Sequence, residues 1–338
     1  MPIGYWWTVA CLSWGIMCAL TRWRWLGSFT AIPALLASEL PFIVGYLLIA
    51  STVLALAEGD LGSPGGAAGA GVALLALAGL AVVVCRALRA HAALRNDGHP
   101  GRPWGRILRA PFWPGRLDVV RVRGLAYGGG PRRTLDVYHR RDMPAGAPIL
   151  LHLHGGRFHS GSKAREARPL IRHLTSRRGF VCVSADYRLQ PHVTLADQVA
   201  DVHGAIAWVR AHATEYGAEP GRLFIAGSSA GANLAIRAVR EDETGIAGLI
   251  CRYGYYGDLP PGGDMPPMLV VHGENDMLIP ESGARAFTER VREVSSHPVY
   301  YAELPGAHHD FDMFESIRSA AVSQAVEQFT TRISACLN

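Results

Sequence analysis

A serine with glycines two residues to either side stands at Gly227-Ser228-Ser229-Ala230-Gly231. Residues 222–226, Arg-Leu-Phe-Ile-Ala, form a short apolar stretch that reads as a buried strand. Residues 232–239, Ala-Asn-Leu-Ala-Ile-Arg-Ala-Val, read as a helix. A G-x-S-x-G between strand and helix is a nucleophile elbow. The turn is so tight that the serine is held at strained φ/ψ, and side chains two before or two after it collide with neighbouring backbone; glycine removes the collision. Ser229 is left at the tip with its hydroxyl exposed, ready to attack a carbonyl carbon. The N-terminus of the next helix, beginning with the Ala230 N–H, faces any oxyanion that forms there. The pentapeptide alone is short, and a chain with 38 Gly spells it by chance. Its weight comes from the strand before it and the helix after it.

A serine nucleophile needs a base, an acid behind the base and N–H donors for the oxyanion. Three stretches supply these types. His154-Gly155-Gly156 ends a buried strand at residues 148–153, where glycines let the N–H groups of Gly155, Gly156 and Arg157 approach a substrate carbonyl; an ordinary strand-ending turn has the same spelling. Residues 270–276, Val-Val-His-Gly-Glu-Asn-Asp, place Glu274 and Asp276 just past another buried strand, where a solvated loop carboxylate is the plain alternative for either. Gly306-Ala307-His308-His309-Asp310-Phe311 follows the last strand and offers two histidines. The chain order is therefore serine, acid, histidine.

Together with Asp186-Tyr187-Arg188-Leu189, these motifs resemble the hormone-sensitive-lipase-like, carboxylesterase branch of the α/β-hydrolase superfamily, over roughly residue 117 to the end. The resemblance implies Ser229 as nucleophile, Asp276 of the H-G-x-x-D motif as acid and His309 of the G-x-x-H-x-F motif as base, in preference to Glu274 and His308. It implies an oxyanion hole from Gly155, Gly156, Arg157 and Ala230, and makes Asp186 and Arg188 a structural pair behind the oxyanion loop. Two departures stand out. Arg157 occupies the place where the family often has a further glycine. Residues 251–267, rich in Gly, Pro and Tyr, are too few for a cap of two or three helices. The site is then open, and Tyr253, Tyr255 and Tyr256 either line it or pack the loop. The implied activity is hydrolysis of carboxylic esters, short- to medium-chain, on small-molecule or lipidic substrates, with no metal and no organic cofactor. An acyltransferase or peptidase using the same triad is the rival reaction. A non-enzymatic membrane scaffold is the rival from another class, disfavoured because every triad and oxyanion position holds a competent residue.

Such groups need a scaffold that brings strand ends together. Residues 117–122 and 134–138 alternate as strands at an antiparallel edge. Residues 148–153, 180–186, 246–250, 268–271 and 299–304 are further strands, and residues 164–178, 195–216, 282–294 and 315–334 read as helices. Apolar strands alternating with helices mean a mainly parallel sheet covered on both faces, an α/β fold.

The rest of the chain is of another kind. Of 338 residues, 49% are hydrophobic, mean hydropathy is +0.13 and net charge is +5, with Lys163 the only lysine. No basic cluster interleaved with aromatics argues for nucleic acid. The six cysteines are scattered without C-x-x-C spacing, so neither a zinc site nor a disulfide framework is indicated. The hydropathy is concentrated at residues 1–20, 26–57 and 67–84, each long enough to span a bilayer, the second span falling near residues 39–57 with Glu39 close to one interface. A secretory signal fails on the absent basic n-region. Arg22 and Arg24 follow the first span, no Lys or Arg separates the second from the third, and Arg86, Arg89, Arg95, Arg102 and Arg106 follow the third. The positive-inside rule then places everything after the third span in the cytoplasm. The organisation expected is about three transmembrane helices in residues 1–95, a Pro/Gly/Arg linker in 96–115 and an α/β-hydrolase domain in 116–338, with the lipid bilayer as one partner. Nothing in the sequence sets the oligomeric state.

Overall fold

The structure, a computed structural model, describes residues 3–22, 28–95, 102–109, 111–112, 116–241, 245–257, 259 and 263–337. By compactness the chain divides into two units. One comprises Met1–Trp113, Gly273–Leu278 and Leu304–Ala320; the other comprises Pro114–His272, Ile279–Glu303 and Ala321–Asn338.

The first unit begins with α1 (Ile3–Leu20), α2 (Ser28–Glu39), α3 (Pro41–Ala57), α4 (Pro64–Leu88), α5 (Ala90–Ala93) and α6 (Trp104–Arg109). Pro41 ends α2, because the residue before a proline is pushed off the helical region. Leu40 accordingly sits at φ −121°, ψ 42°, and α2 and α3 meet at 89°. Pro41 then opens α3 at a position where no N–H is missed. Ser63 caps α4 by accepting the Gly66 N–H at 3.0 Å.

Helix directions follow from their end contacts. Trp6 Nε1–H donates to the Gly65 carbonyl at 3.0 Å, and Arg86 Nη1 donates to the Leu20 carbonyl at 3.2 Å, so α1 and α4 run parallel. The Tyr5 and Thr52 hydroxyls lie 3.1 Å apart, and Gly45 lies beside Leu80, so α3 runs against both. Tyr5, Val9, Ile16, Leu48, Ala73 and Val83 fill the space between them. Outward positions stay apolar as well: Trp7, Leu47, Leu54, Leu74 and Leu75 are exposed. A helix apolar all round suits lipid better than water. α1 and residues Pro64–Ala93 are each long and apolar enough to cross a membrane, and the bent α2–α3 pair makes a third candidate.

Three details differ from the sequence reading. Residues 28–39 form their own helix, and the second candidate span starts at Pro41. Glu39 is not at a wet interface: it is 2% exposed and bonded to Arg318 Nη1 at 3.0 Å. The stretch read as linker contains α6; its residues 96–101, like Arg24, lie outside the described residues.

The rest of the chain forms β1 (Val119–Ala126), β2 (Thr134–Arg140), β3 (Ala147–Leu153), α7 (Arg168–Arg178), β4 (Val181–Ala185), α8 (Leu195–His212), β5 (Ala218–Ser228), α9 (Ala230–Glu241), β6 (Gly248–Arg252), β7 (Met268–Gly273), α10 (Glu281–Val294), β8 (Val299–Leu304) and α11 (Ile317–Leu337), which lie in the second unit except for Gly273, Leu304 and residues 317–320. The sheet has eight strands in the order β1-β2-β4-β3-β5-β6-β7-β8. β1 and β2 enter antiparallel, and β4, β3, β5, β6 and β7 are mutually parallel. Strands buried on both faces, such as Ile149–Leu151–Leu153 of β3 and Leu223–Ile225 of β5, pack against Val202, Ile206, Leu234 and Phe287 of the covering helices. The carboxyl ends of parallel strands are where open α/β sheets place ligands. The residues following β3, β5, β7 and β8 are those singled out above.

Candidate active site

β5 ends at Ser228 and α9 begins at Ala230, which leaves Ser229 alone in the turn at φ 52°. For a residue other than glycine this left-handed conformation costs about 1–3 kcal/mol, and it persists only where the surroundings over-determine it. They do so here. The Ser229 N–H donates to the Arg252 carbonyl at 3.0 Å, and its own carbonyl accepts the Ala232 N–H at 3.1 Å. A Cβ on Gly231 would stand 2.2 Å from the Leu153 carbonyl oxygen, and one on Gly227 2.5 Å from the Ala232 nitrogen. Both glycines are therefore required by close approach of backbone. The neighbouring hydroxyl is turned inward: Ser228 is fully buried, its Oγ 3.4 Å from His152 Nε2. Burial holds the His152 pKa well below that of a free imidazole, so this histidine is a neutral piece of the core.

The loop after β3 is braced from below. His154 stacks on Tyr187 with ring centroids 4.3 Å apart, and Tyr187 Oη–H donates to the His154 carbonyl at 2.7 Å. His154 Nδ1–H donates to the Gly155 carbonyl at 2.6 Å, and burial lowers its pKa to about 4. The Gly155 N–H is bonded to Glu166 Oε2 at 2.8 Å. That corrects the donor set read from sequence, since an N–H occupied by a carboxylate has nothing to offer an oxyanion. Among the described residues, no acceptor takes the N–H of Gly156, Arg157 or Ala230. Arg157 and Phe158 both adopt left-handed φ, 54° and 67°, so backbone strain is concentrated in this loop too. Glu166 carries no motif and was not singled out from the sequence.

Asp186 and Arg188, which the resemblance made a pair, are each closed by another partner. Asp186 accepts the Lys163 N–H at 2.7 Å and Lys163 Nζ at 2.9 Å. Arg188 Nη2 bonds Asp201 Oδ1 at 2.8 Å. Asp186 thereby holds the segment after β3 at Lys163, and Arg188 is tied to α8 through Asp201.

The loops carrying Asp276 and His309 belong to the first unit. Asp276 is fully buried; its Oδ2 accepts His309 Nδ1–H at 2.7 Å and its Oδ1 accepts the Leu278 N–H at 2.9 Å. With Nδ1–H donated to the carboxylate, the ring is the tautomer whose Nε2 carries the lone pair; Nε2 lies 4.0 Å from Asp310 Oδ1. The two loops are stitched together by Asn275 N–H to Ala307 C=O at 2.8 Å and Glu274 N–H to Leu304 C=O at 3.1 Å. Glu274 is half-exposed and accepts the Gly306 N–H at 2.9 Å; the carboxylate on His309 is Asp276. His308 is buried and donates Nε2–H to the Ala19 carbonyl at 3.1 Å. Burial lowers its pKa to about 4.

Of the three tyrosines, Tyr253 and Tyr256 are buried, and Tyr256 stacks on Phe287 with centroids 4.6 Å apart. These two pack the loop. Tyr255 remains 41% exposed. Among the described residues between β6 and β7 there is no helix.

Residues 150–260 match a family described as the alpha/beta hydrolase fold. The chain is 33% identical over 279 residues to a probable carboxylic ester hydrolase, LipM, of Mycobacterium tuberculosis, covering 65% of this chain and spanning 64% of the length of that relative. It is 34% identical over 120 residues to a probable isoprenylcysteine alpha-carbonyl methylesterase of Oryza sativa, covering 36% of this chain and 28% of the other. Among solved structures, esterase 2 of Thermogutta terrifontis, phosphoramylated by tabun, aligns with a TM-score of 0.54 at 25% identity, covering 65% of this chain and 97% of that one. A bacterial heroin esterase aligns at the same TM-score and 20% identity, covering 65% and 86%, and shares the fold. By its elbow, its strand order and these likenesses, the chain belongs to the α/β-hydrolase superfamily, in the hormone-sensitive-lipase-like, carboxylesterase branch.

Proposed function

We propose that this chain is a membrane-anchored serine esterase in which Ser229, His309 and Asp276 act as a triad. The observation that carries the reading is Ser229 held at φ 52° between β5 and α9, a strained conformation of the kind that clusters at active sites. Ser229 Oγ attacks the ester carbonyl carbon while His309 Nε2 takes the hydroxyl proton. The N–H groups of Ala230 and Gly156, with that of Arg157 beside them, hold the oxyanion, each such donor being worth about 2.7–4 kcal/mol. The imidazolium then protonates the departing alkoxide. Water, deprotonated by the same nitrogen, releases the acid from the acyl-enzyme. Asp276 keeps Nδ1 protonated throughout and offsets the charge on the ring.

The substrate class follows from the short segment between β6 and β7. The described residues between β6 and β7 form no helix, and the segment is too short for a cap of two or three helices, so short- to medium-chain esters are the preferred substrates. A series of nitrophenyl esters of increasing chain length, given to the detergent-solubilised protein, is expected to peak at the short end. No rate jump is expected as substrate passes from monomer to micelle. A clear preference for long-chain triglyceride emulsions overturns this assignment.

The bundle directions support three crossings. α1 and α4 run parallel, so the chain between them crosses back once, and α3 is that return. Its 17 residues reach about 26 Å at 1.5 Å each, close to a bilayer's hydrocarbon thickness of about 30 Å. Arg22, Arg86, Arg89 and Arg95 then lie on one side, the side on which positive charge is retained. On this reading the hydrolase domain is cytoplasmic. Alkaline phosphatase fused after Asn338 is expected to be inactive and a fluorescent protein there to glow. Active phosphatase at that site reverses the orientation.

A further inference from the structure

The loops bearing Asp276 and His309 are short and irregular, and such segments open at low free energy unless something packs on them. In the first unit that packing comes from the amino-terminal helices. Arg22 Nε donates to Asn275 Oδ1 at 2.8 Å, and its Nη2 lies 3.1 Å from Glu274 Oε1. Met277 is buried with Cys18 and Ala34. His308 Nε2–H donates to the carbonyl of Ala19. Asp276 is thus held through both of its chain neighbours, and His309 through the residue before it. The Arg22–Glu274 pair is half-exposed on both sides, so it contributes little stability; what it supplies is geometry. The tolerance for such geometry is narrow, since a misplacement of about 1 Å costs about 10²-fold in rate.

We infer that the carboxyl end of α1 is part of the catalytic apparatus: His308 and Arg22 are positioning residues that hold the Asp276–His309 couple, so the anchor and the active site are not separable functions. The inference rests on the triad reading above.

The test uses the full-length, detergent-solubilised chain, with activity normalised to sites counted by endpoint labelling with a fluorophosphonate probe. This count removes misfolded protein from the comparison. His308→Leu keeps bulk and loses the donor; Arg22→Gln loses the charge and the fork. Per labelled site, kcat is expected to fall about 10²-fold in His308→Leu and about 10-fold in Arg22→Gln, with KM within about two-fold, because the substrate contacts are untouched. His308→Gln, which can still donate near the Nε2 position, and Arg22→Lys are expected to recover most of the loss. A merely structural role would lower the number of labelled sites and leave kcat per site unchanged. Wild-type kcat per site in both His308→Leu and Arg22→Gln, with Ser229→Ala and His309→Ala inactive, overturns this inference and leaves the triad standing. Full activity in Ser229→Ala overturns both.

Discussion

Ser229→Ala is expected to abolish labelling by a fluorophosphonate probe and to lower kcat by about 10⁶-fold, the loss that follows when a triad nucleophile is removed. The variant should fold. What holds residue 229 at φ 52° is backbone bonding to Arg252 and Ala232, and alanine is no more strained there than serine. Ser228→Ala is the control. Its hydroxyl is fully buried against His152, out of reach of a probe, so labelling should persist. A thermal melt alongside the labelling gel separates loss of the nucleophile from loss of the fold. Continued labelling of Ser229→Ala would sink the mechanism.

His309→Ala is expected to cost about as much as loss of the nucleophile, since triad members act as a unit. Asp276→Asn should cost about 10⁴-fold, because an amide facing Nδ1 favours the wrong tautomer and leaves the imidazolium without its counter-charge. The 2.7 Å bond from His309 Nδ1 to Asp276 Oδ2 is what the second variant removes. His308→Ala should fall far short of either, since its Nε2 is committed to the Ala19 carbonyl. Steady-state kinetics on all three variants decide the ranking, and the reverse order would transfer the role of base to His308.

The setting of Ser229 could be read from spelling because it is local. A strand, a glycine two residues either side of a serine and a helix specify a turn within a dozen residues, and the 2.2–2.5 Å approaches at Gly227 and Gly231 are the reason for that spelling. The parallel strands were equally plain, since a strand buried on both faces must be apolar throughout. What escaped was settled by side chains distant in sequence. The Gly155 N–H looked like an oxyanion donor until Glu166, eleven residues on, was found to accept it. The family resemblance made Asp186 and Arg188 a pair; Lys163 and Asp201 claim them instead. Arg22 and Asn275 are 253 positions apart, and no periodicity or motif connects a helix end to such a loop. The break at Leu40 was half visible in Pro41, but its 89° angle depends on what each helix packs against.

The buried pair of Glu39 and Arg318 bears on how the chain is made. The two residues are separated by 279 positions, and Ser316, which donates to the same carboxylate at 2.6 Å, is almost as far. On a ribosome adding about 5–20 residues per second, Glu39 waits of order tens of seconds for either. Through that interval the helical bundle has a carboxylate with no cation to meet it, an arrangement that burial penalises heavily. The bundle therefore reaches its final packing only after nearly all of the hydrolase sheet has been synthesised. The helices are synthesised well before the residues that complete their packing.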